Sequence, residues 1–376
     1  MHSNTPAPSA STGTEQARDQ RAMRLRYADE QVEIIGCQPI EQLGLGVDVY
    51  AVATMNLAAQ RDPAGYWYVN HMVAQHVRRL IEDGVDRPDL PLAGPKGRAE
   101  LAEKHDVLSE WWGTGEGRPR SGFEFEYLAR WREHVPSAKA LWPLQHPGET
   151  LPFDGGAIPN ADDWRALTHV ADAVGIRSRA AVVAAILRAR YATADTLSWL
   201  SLASGALVPI MKTAHALERV GVDCALELWD LDADALTMGL DLAERHGLAS
   251  PLKTAQVNLL DPAEFGRARA RFDVVETVGF FEYLPDEPIE GLFPSASQYL
   301  AGALAMVRPG GVLVLGNMLD THPQLDFVMR CVQWPYIVPR SLEQFLDVIR
   351  AAGVADEQVT FHLPDDGVYA VATIEV

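Results

Sequence analysis

The chain changes its hydrophobic pattern near residue 196, and this change constrains the fold more than any other feature. Beyond it, short apolar runs alternate with segments of helical spacing. The runs are 197–203 (LSWLSLA), 224–230 (CALELWD), 253–258 (KTAQVN), 272–278 (FDVVETV) and 311–317 (GVLVLGN). The predicted helices between and after them lie near 206–220, 233–247, 261–268, 294–307 and 341–352. This alternation predicts a parallel sheet covered by helices on both faces.

The last two apolar runs predict a hairpin. They span 357–363 and 368–375, and the turn PDDG separates them. A turn this short joins antiparallel neighbours, because a parallel pair needs a long crossover connection. One strand of the sheet must therefore run against the others.

The first half of the chain has a different texture. Residues 1–18 are rich in Ser, Thr, Pro and Ala, and predict a disordered lead-in. Helical spacing follows at 47–60, 66–82, 98–112, 122–134, 161–174 and 177–192, with a connector rich in Pro and Gly at 135–162. We therefore predict a mainly α-helical cap or substrate domain at 19–194 and an α/β domain at 195–376.

Charge and cysteine usage exclude several classes of function. The chain carries 51 acidic residues against 32 Lys and Arg, a formal charge of −19. Such a surface repels phosphate backbones and anionic lipids, so neither nucleic acid nor membrane is expected as a partner. Cys37, Cys224 and Cys331 form no CxxC pair, and no HExxH occurs. We expect a reduced, cytoplasmic protein without a metal, and the sequence leaves a homo-oligomer open.

Small and polar residues follow the predicted strands, where ligands bind in open parallel sheets. The first strand leads into Ala203, Ser204 and Gly205, which let the backbone approach a ligand at the start of a helix. The second strand ends at Asp230, a carboxylate able to accept both hydroxyls of a ribose. The third ends near Asn258, whose amide can hydrogen-bond an adenine edge.

A nicotinamide dinucleotide is not the expected ligand. It would require the pattern G-x-G-x-x-G at the first turn, where the chain has A-S-G-A-L-V and lacks the two outer glycines. The Gly44-Leu45-Gly46 pair is not followed by the right pattern either, and we interpret it as a loop.

The order of these motifs resembles the class I S-adenosylmethionine-dependent methyltransferases. The resemblance covers 195–376 and rests on SLASG, ELWDLDADAL, QVNLLD, FDVVETVGFFEYLP and RPGGVLVLGN, followed by the hairpin. It implies a Rossmann-like sheet of seven mostly parallel strands with S-adenosylmethionine across the strand ends. By the resemblance, the cofactor-binding residues would be Ser201, Ala203, Gly205, Asp230, Leu231, Asn258, Leu259, Thr277 and Gly279.

The chain departs from that family at the amino-acid end of the cofactor. Ser201 stands where the first strand usually carries an acid, Ala203 and Leu207 occupy glycine positions, and Asn258 replaces a common acid. We therefore expect this chain to bind the amino-acid end of the cofactor differently from the family. Arg177 and Arg179, ahead of the first strand, could bind its carboxylate in bidentate fashion, or could lie on a solvated helix face.

Candidate catalytic residues come from two places. Glu282 and Tyr283 follow the fourth strand, where the family position favours a base, and His71 is a more distant candidate. A structural role for Glu282, at a helix start, is the alternative. The aromatic run Tyr66, Trp67 and Tyr68 could cover a sulfonium by cation–π attraction or simply pack in a core, and the same holds for Trp111 and Trp112.

Three functions remain open from the sequence. The first is a methyltransferase that acts on a small molecule in specialised metabolism. The second keeps S-adenosylmethionine but attacks its aminocarboxypropyl arm and releases methylthioadenosine; enzymes that cyclise the cofactor to azetidine-2-carboxylate and nicotianamine synthases resemble this plan, and Ser201 motivates it. The third is a non-catalytic cofactor-binding module whose site has decayed.

Overall fold

The computed structural model describes residues 32–41, 43–82, 131, 134–146, 161–205, 207–291, 293–332, 334 and 337–376. The predicted lead-in at 1–18, the predicted helix at 98–112 with Trp111 and Trp112, and most of the helix at 122–134 lie outside these ranges. So does the 147–160 part of the connector. Within the described ranges, no helix is both long and apolar enough to cross a membrane.

One sheet organises the described part of the chain, which contributes nine strands to it in the order β1-β2-β8-β9-β7-β6-β3-β4-β5. The strands are β1 (Val32–Pro39), β2 (Asp48–Asn56), β3 (Thr196–Leu202), β4 (Asp223–Asp230), β5 (Leu252–Gln256), β6 (Phe272–Thr277), β7 (Val307–Met318), β8 (Val359–Pro364) and β9 (Tyr369–Glu375).

The strands after residue 195 follow the predicted pattern. β5, β4, β3, β6 and β7 are neighbours that run parallel, and β9 runs antiparallel to both β7 and β8, which confirms the hairpin. The chain moves outward from β3 to β5 and then returns to β6 on the other side of β3. This reversal is the topological switch point, where open α/β sheets bind their ligands.

The segment 195–376 contributes seven strands, β3 to β9, and β1 and β2 extend the described sheet to nine. The predicted helix at 47–60 is wrong. Most of that segment is β2, which pairs antiparallel with β1 and parallel with β8. Only Val49 and Val52 are buried in β2, and their spacing of three imitates one face of a helix. Helical structure begins later, where the Asn56 side chain accepts the Ala59 N–H at 3.1 Å.

Nine α-helices lie within the described ranges. They are α1 (Leu57–Arg61), α2 (Pro63–Glu82), α3 (Ala138–Gln145), α4 (Ala161–His169), α5 (Ala171–Tyr191), α6 (Val208–Glu218), α7 (Ala233–His246), α8 (Ala296–Leu304) and α9 (Leu342–Ala351). Helices α8 and α9 each begin with a capping box, Ser295 with Gln298 and Ser341 with Gln344. The division into domains at residues 194 and 195 stays a prediction, although β1 and β2 share the sheet of the second half.

Helix α5 joins the helical region to the sheet. It is buried around most of its circumference, as expected for a helix packed on several sides. Its Arg177 guanidinium donates to the Leu144 carbonyl at 2.7 Å and to the Thr168 carbonyl at 2.6 Å. These bonds satisfy backbone oxygens in α3 and α4 and fix both helices against α5.

Replacement of His362 by phenylalanine should reduce the acid sensitivity of the fold. Burial lowers the pKa of His362 from 6.5 to about 4, so between these values the unfolded chain binds the extra proton and stability falls as pH falls. Phenylalanine retains the ring stacked on Tyr50 across β2 and β8, with centroids 5.6 Å apart, and cannot titrate. The variant should therefore lose less unfolding free energy from pH 6.5 to 4, measured by urea denaturation. Equal losses in wild type and variant would contradict this, and His71→Phe on the exposed face of α2 is the matched control.

Candidate functional site

The turn after β3 has the left-handed backbone of a glycine-rich loop, although alanine and leucine occupy two of its left-handed positions. Ala203, Gly205 and Leu207 adopt left-handed φ angles of 51°, 49° and 66°. A side chain in this region is strained, and such residues cluster at functional sites. Two of the positions where the sequence departs from the family pattern, Ala203 and Leu207, thus retain the conformation that glycine would adopt there.

Replacement of Ala203 by glycine should stabilise the protein by about 0.5–1 kcal/mol. The left-handed conformation costs a non-glycine residue about 1–2 kcal/mol, whereas glycine loses about 0.5–1 kcal/mol more chain entropy on folding. Urea unfolding measures the difference. Ala192→Gly, at a right-handed φ of −61° after α5, is the matched control and should lower stability. If Ala203→Gly is instead less stable than wild type, the Ala203 methyl group contributes more to stability than its left-handed backbone costs.

Asp230 ties the end of β4 to this turn. One carboxylate oxygen accepts the Gly205 N–H at 3.0 Å and the other accepts the Asp232 N–H at 2.9 Å. Burial raises the pKa of the Asp230 carboxyl, and the backbone N–H groups of Asp232 and Gly205 oppose that shift. The carboxylate lies where the sequence predicted it, at the strand end beside the switch point.

The neighbouring strand ends form an open edge next to Asp230. Leu231 is exposed, and its carbonyl accepts from the Gln256 side chain at 2.9 Å. Asn258 is exposed and its side-chain oxygen accepts the Leu260 N–H at 3.1 Å, whereas Leu259 is buried. Leu231 and the Asn258 amide nitrogen therefore remain accessible to a planar ligand laid across this edge.

The acid that β3 lacks is supplied by β6. Ser201 and Glu276 are register partners, and the Ser201 hydroxyl donates to Glu276 Oε2 at 2.7 Å. Glu276 Oε1 accepts the Val278 N–H at 2.9 Å. Burial raises the pKa of Glu276. The sequence analysis missed Glu276, although an acid in the middle of the apolar run FDVVETV is a signal that could have identified it.

Thr277 and Gly279 form the floor of the site beyond β6. The Thr277 hydroxyl lies 3.0 Å from that of Tyr299 on α8, and both groups are buried. A Cβ at Gly279 would lie 3.4 Å from Arg179 Nη2, an ordinary contact distance, so Gly279 packs beside this guanidinium. Arg179 therefore reaches the strand ends from α5.

Arg179 is buried, and the interpretation of a solvated helix face is wrong for it and for Arg177. Its Nη1 donates to Glu282 Oε1 at 3.2 Å, and its guanidinium carbon lies 4.2 Å from the ring centroid of Tyr369. Both terminal nitrogens of Arg177 donate to backbone carbonyls. Of these two arginines, Arg179 is therefore the one that could contact a ligand at this site.

Glu282 and Tyr283 continue the same buried polar cluster. Glu282 Oε2 is buried and accepts no hydrogen bond from the described residues, and burial raises the pKa of this carboxyl. The Tyr283 hydroxyl accepts from Trp334 Nε1 at 2.5 Å. Burial also raises the pKa of Tyr283, so the phenol stays protonated near neutral pH.

Two more members come from outside the predicted set. Asp172, in the first turn of α5, accepts the Tyr369 hydroxyl at 2.8 Å. His322 Nε2 lies 3.9 Å from the same Asp172 oxygen, too far for a hydrogen bond. Burial lowers the pKa of His322 to about 4, which keeps the imidazole neutral. The sequence placed these residues in separate segments and offered no signal that they meet.

The predicted residues of α2 lie apart from the strand ends. His71 is exposed and contacts Gln75, and Trp67 is 72% exposed. Tyr66 packs edge-on against His169, and Tyr68 packs against the core cluster that contains Trp131. The contact of α2 with the region of His322 is made instead by Asn70, which accepts from Gln324 at 2.6 Å. Among the described residues, no cluster of three His, Cys, Asp or Glu could hold a metal ion.

Comparisons with known proteins identify the fold. No protein-family model matches the chain, and no curated protein matches its sequence. A solved structure of a possible exported protein from Bordetella parapertussis is 18% identical, covers 85% of this chain and 98% of its own, and has a TM-score of 0.51. The two proteins share a fold.

Two further solved structures are more distant. The CurJ carbon methyltransferase is 13% identical, with 97% and 93% of the two chains covered and a TM-score of 0.45. The 1,6-didemethyltoxoflavin-N1-methyltransferase from Burkholderia thailandensis, solved with S-adenosylhomocysteine, is 20% identical, covers 54% of this chain and 80% of its own, and has a TM-score of 0.36.

Proposed function

We propose that this protein binds S-adenosylmethionine at the carboxyl ends of β3 to β6 and transfers its methyl group to a small molecule. The observation that carries the proposal is the bridge from the Asp230 carboxylate to the left-handed turn at Gly205. This bridge joins the turn after β3 to the end of β4, beside the topological switch point. By the sequence resemblance, both of these motifs would bind the cofactor.

The residues present fit this cofactor by chemistry. Asp230 would accept the ribose hydroxyls, Leu231 and Leu259 would cover the adenine, and Asn258 would bind its edge. Arg179 would bind the carboxylate of the amino-acid end. Buried acids outnumber buried cations here, since Asp172, Glu276 and Glu282 surround one arginine, and such a site favours a cationic ligand.

The bound cofactor would supply an electrophilic methyl carbon on its sulfonium. The chain's own part is then to orient an acceptor and to remove its proton. Glu282 suits the second task because its Oε2 is buried and has no partner among the described residues. Tyr283 would act as a neighbouring hydrogen-bond group, and His71 has the weakest structural support because it is exposed on α2.

A second candidate function keeps the cofactor and breaks a different carbon–sulfur bond. The observation that favours it is Ser201, which replaces an acid at the amino-acid end of the cofactor and binds Glu276 on the next strand. Attack on the aminocarboxypropyl arm, by an acceptor or by the cofactor's own amine with closure to azetidine-2-carboxylate, would release methylthioadenosine.

Two measurements test these proposals. Calorimetry with S-adenosylmethionine should show stoichiometric binding, and no binding by the folded protein would refute cofactor use. The nucleoside product then separates the functions: S-adenosylhomocysteine supports methyl transfer, and methylthioadenosine supports the second candidate. Binding without any product over a panel of acceptors would favour the non-catalytic module.

A further inference from the structure

A small cavity lies beside the buried polar cluster. Its volume is about 20 Å³, enough for a group of the size of a water molecule. The described residues that line it are apolar except for Asp172. The indoles of Trp131 and Trp334 both line it, with ring centroids 6.3 Å apart. Leu144 and Leu167 complete the wall that α3 and α4 provide.

Asp172 lines this cavity and uses one of its two carboxylate oxygens in a hydrogen bond among the described residues. Its Oδ1 accepts the Tyr369 hydroxyl, whereas its Oδ2 has no hydrogen-bond partner among the described residues. His322 does not complete the carboxyl, because its Nε2 is 3.9 Å from Oδ1 and has no hydrogen-bond partner of its own among the described residues. A buried carboxylate with an open position requires a donor, and an ionised donor satisfies it best.

The charges around the cavity favour a cation over a neutral or anionic group. Among the described residues, no Lys, Arg or His lines it, and Arg179 of the adjacent cluster is already paired with Glu282. Burial raises the pKa of the Asp172 carboxyl, and a bound cation would offset that desolvation cost. The indoles of Trp131 and Trp334, which line the cavity, can add cation–π attraction, which strengthens when the cation is removed from water.

We infer that this cavity is a binding site for a primary ammonium group, held by the Asp172 carboxylate between Trp131 and Trp334. The acceptor of the transfer reaction would then be a small primary amine. This substrate class rests on the proposed function, whereas ammonium binding itself does not require the cofactor. The volume limits the group at the carboxylate to a primary ammonium and leaves no room for a quaternary one.

Binding of matched probes tests the inference on the wild-type protein without cofactor. The probes are methylamine, methanol and acetate, which share one methyl group and differ in the polar group. Calorimetry or ligand-observed NMR should give at least 10-fold tighter binding for the amine than for the other two. Equal binding of the alcohol, tighter binding of the acid, or no binding of the amine would overturn the inference.

Two variants locate the binding site. Asp172→Asn should abolish the preference for the amine, because the amide can still accept from Tyr369 but carries no charge. Asp241→Asn, an exposed acid on α7, is the matched control and should keep the preference. If Asp172→Asn does not fold, Ala166→Leu fills the cavity from α4 while Asp172 stays intact, and it should weaken amine binding at least 10-fold. A preference unchanged in the folded variant would refute the site.

A competition arm separates the two sources of an ammonium group. If S-adenosylmethionine displaces methylamine, the site holds the cofactor's own ammonium. If both bind together, the site holds a separate acceptor. Failure of the proposed function would appear differently, as loss of S-adenosylmethionine binding with the amine preference intact.

Discussion

Asp230→Asn is expected to weaken S-adenosylmethionine binding about 100-fold, a loss of about 2.7 kcal/mol. The amide retains one oxygen, so it can still accept one of the two N–H bonds that Asp230 now accepts from Gly205 and Asp232. The ribose hydroxyls would also face a neutral group in place of a carboxylate, and hydrogen bonds to charged groups contribute about 1.5–3 kcal/mol each. Calorimetry of the folded variant measures the effect.

The control for that experiment is Asp234→Asn. Asp234 lies in the same acidic stretch and carries the same charge, but it is exposed and pairs with Lys139 at 3.2 Å. Its replacement should leave the affinity within about twofold, as expected for a surface ion pair. If Asp230→Asn binds the cofactor as well as wild type does, the ribose does not lie at the end of β4.

Arg340→Met is expected to lower the free energy of unfolding by about 3–5 kcal/mol, the usual cost of breaking a buried charged network. Arg340 is 0% exposed. Its guanidinium donates to Asn317 Oδ1 at 2.6 Å, to the Leu284 carbonyl at 2.6 Å and to Asp286 at 2.9 Å. Methionine fills a similar volume but leaves the buried oxygens of Asn317 and Leu284 without donors. Urea unfolding measures the loss.

Arg350→Met provides the comparison. Arg350 binds Asp356 through two nitrogens at 2.8 Å, so its ion pair has equally good geometry, but it lies in solvent. Little change in stability is expected there. If both variants lose the same small amount of unfolding free energy, burial does not determine how much these arginine contacts contribute to stability. Because Arg340 holds the segment after β6 that carries Glu282 and Tyr283, its variant should also lose turnover more than cofactor affinity.

The sequence predicted the half of the fold in which local pattern and tertiary environment agree. β3, β4, β6 and β9 lie within one residue or so of the predicted runs, because each is a short apolar segment bounded by turn residues. β2 was predicted as a helix because its two buried residues, Val49 and Val52, are three apart, and one of its two partners, β8, lies far along the chain. A register between segments so far apart is not encoded in either one alone.

The candidate site divides in the same way. Asp230 and Gly205 could be predicted, since each follows a strand whose end must meet the ligand. Glu276 could not be paired with Ser201 until β6 was known to lie beside β3. Asp172 and Trp334 lie in segments without a local motif, and only the packing of α5 against the sheet brings them to the Glu282 cluster.

The pairing of β2 with β8 also determines when this part of the sheet can form during translation. Asp48 pairs with Thr360, which the ribosome adds more than 300 residues later. At about 5–20 residues per second, β2 emerges roughly 15–60 s before its partner. During that interval the nascent chain carries a strand with an unpaired edge, which is a template for association between chains. Until β8 is synthesised and pairs with β2, this edge of β2 is therefore open to aggregation.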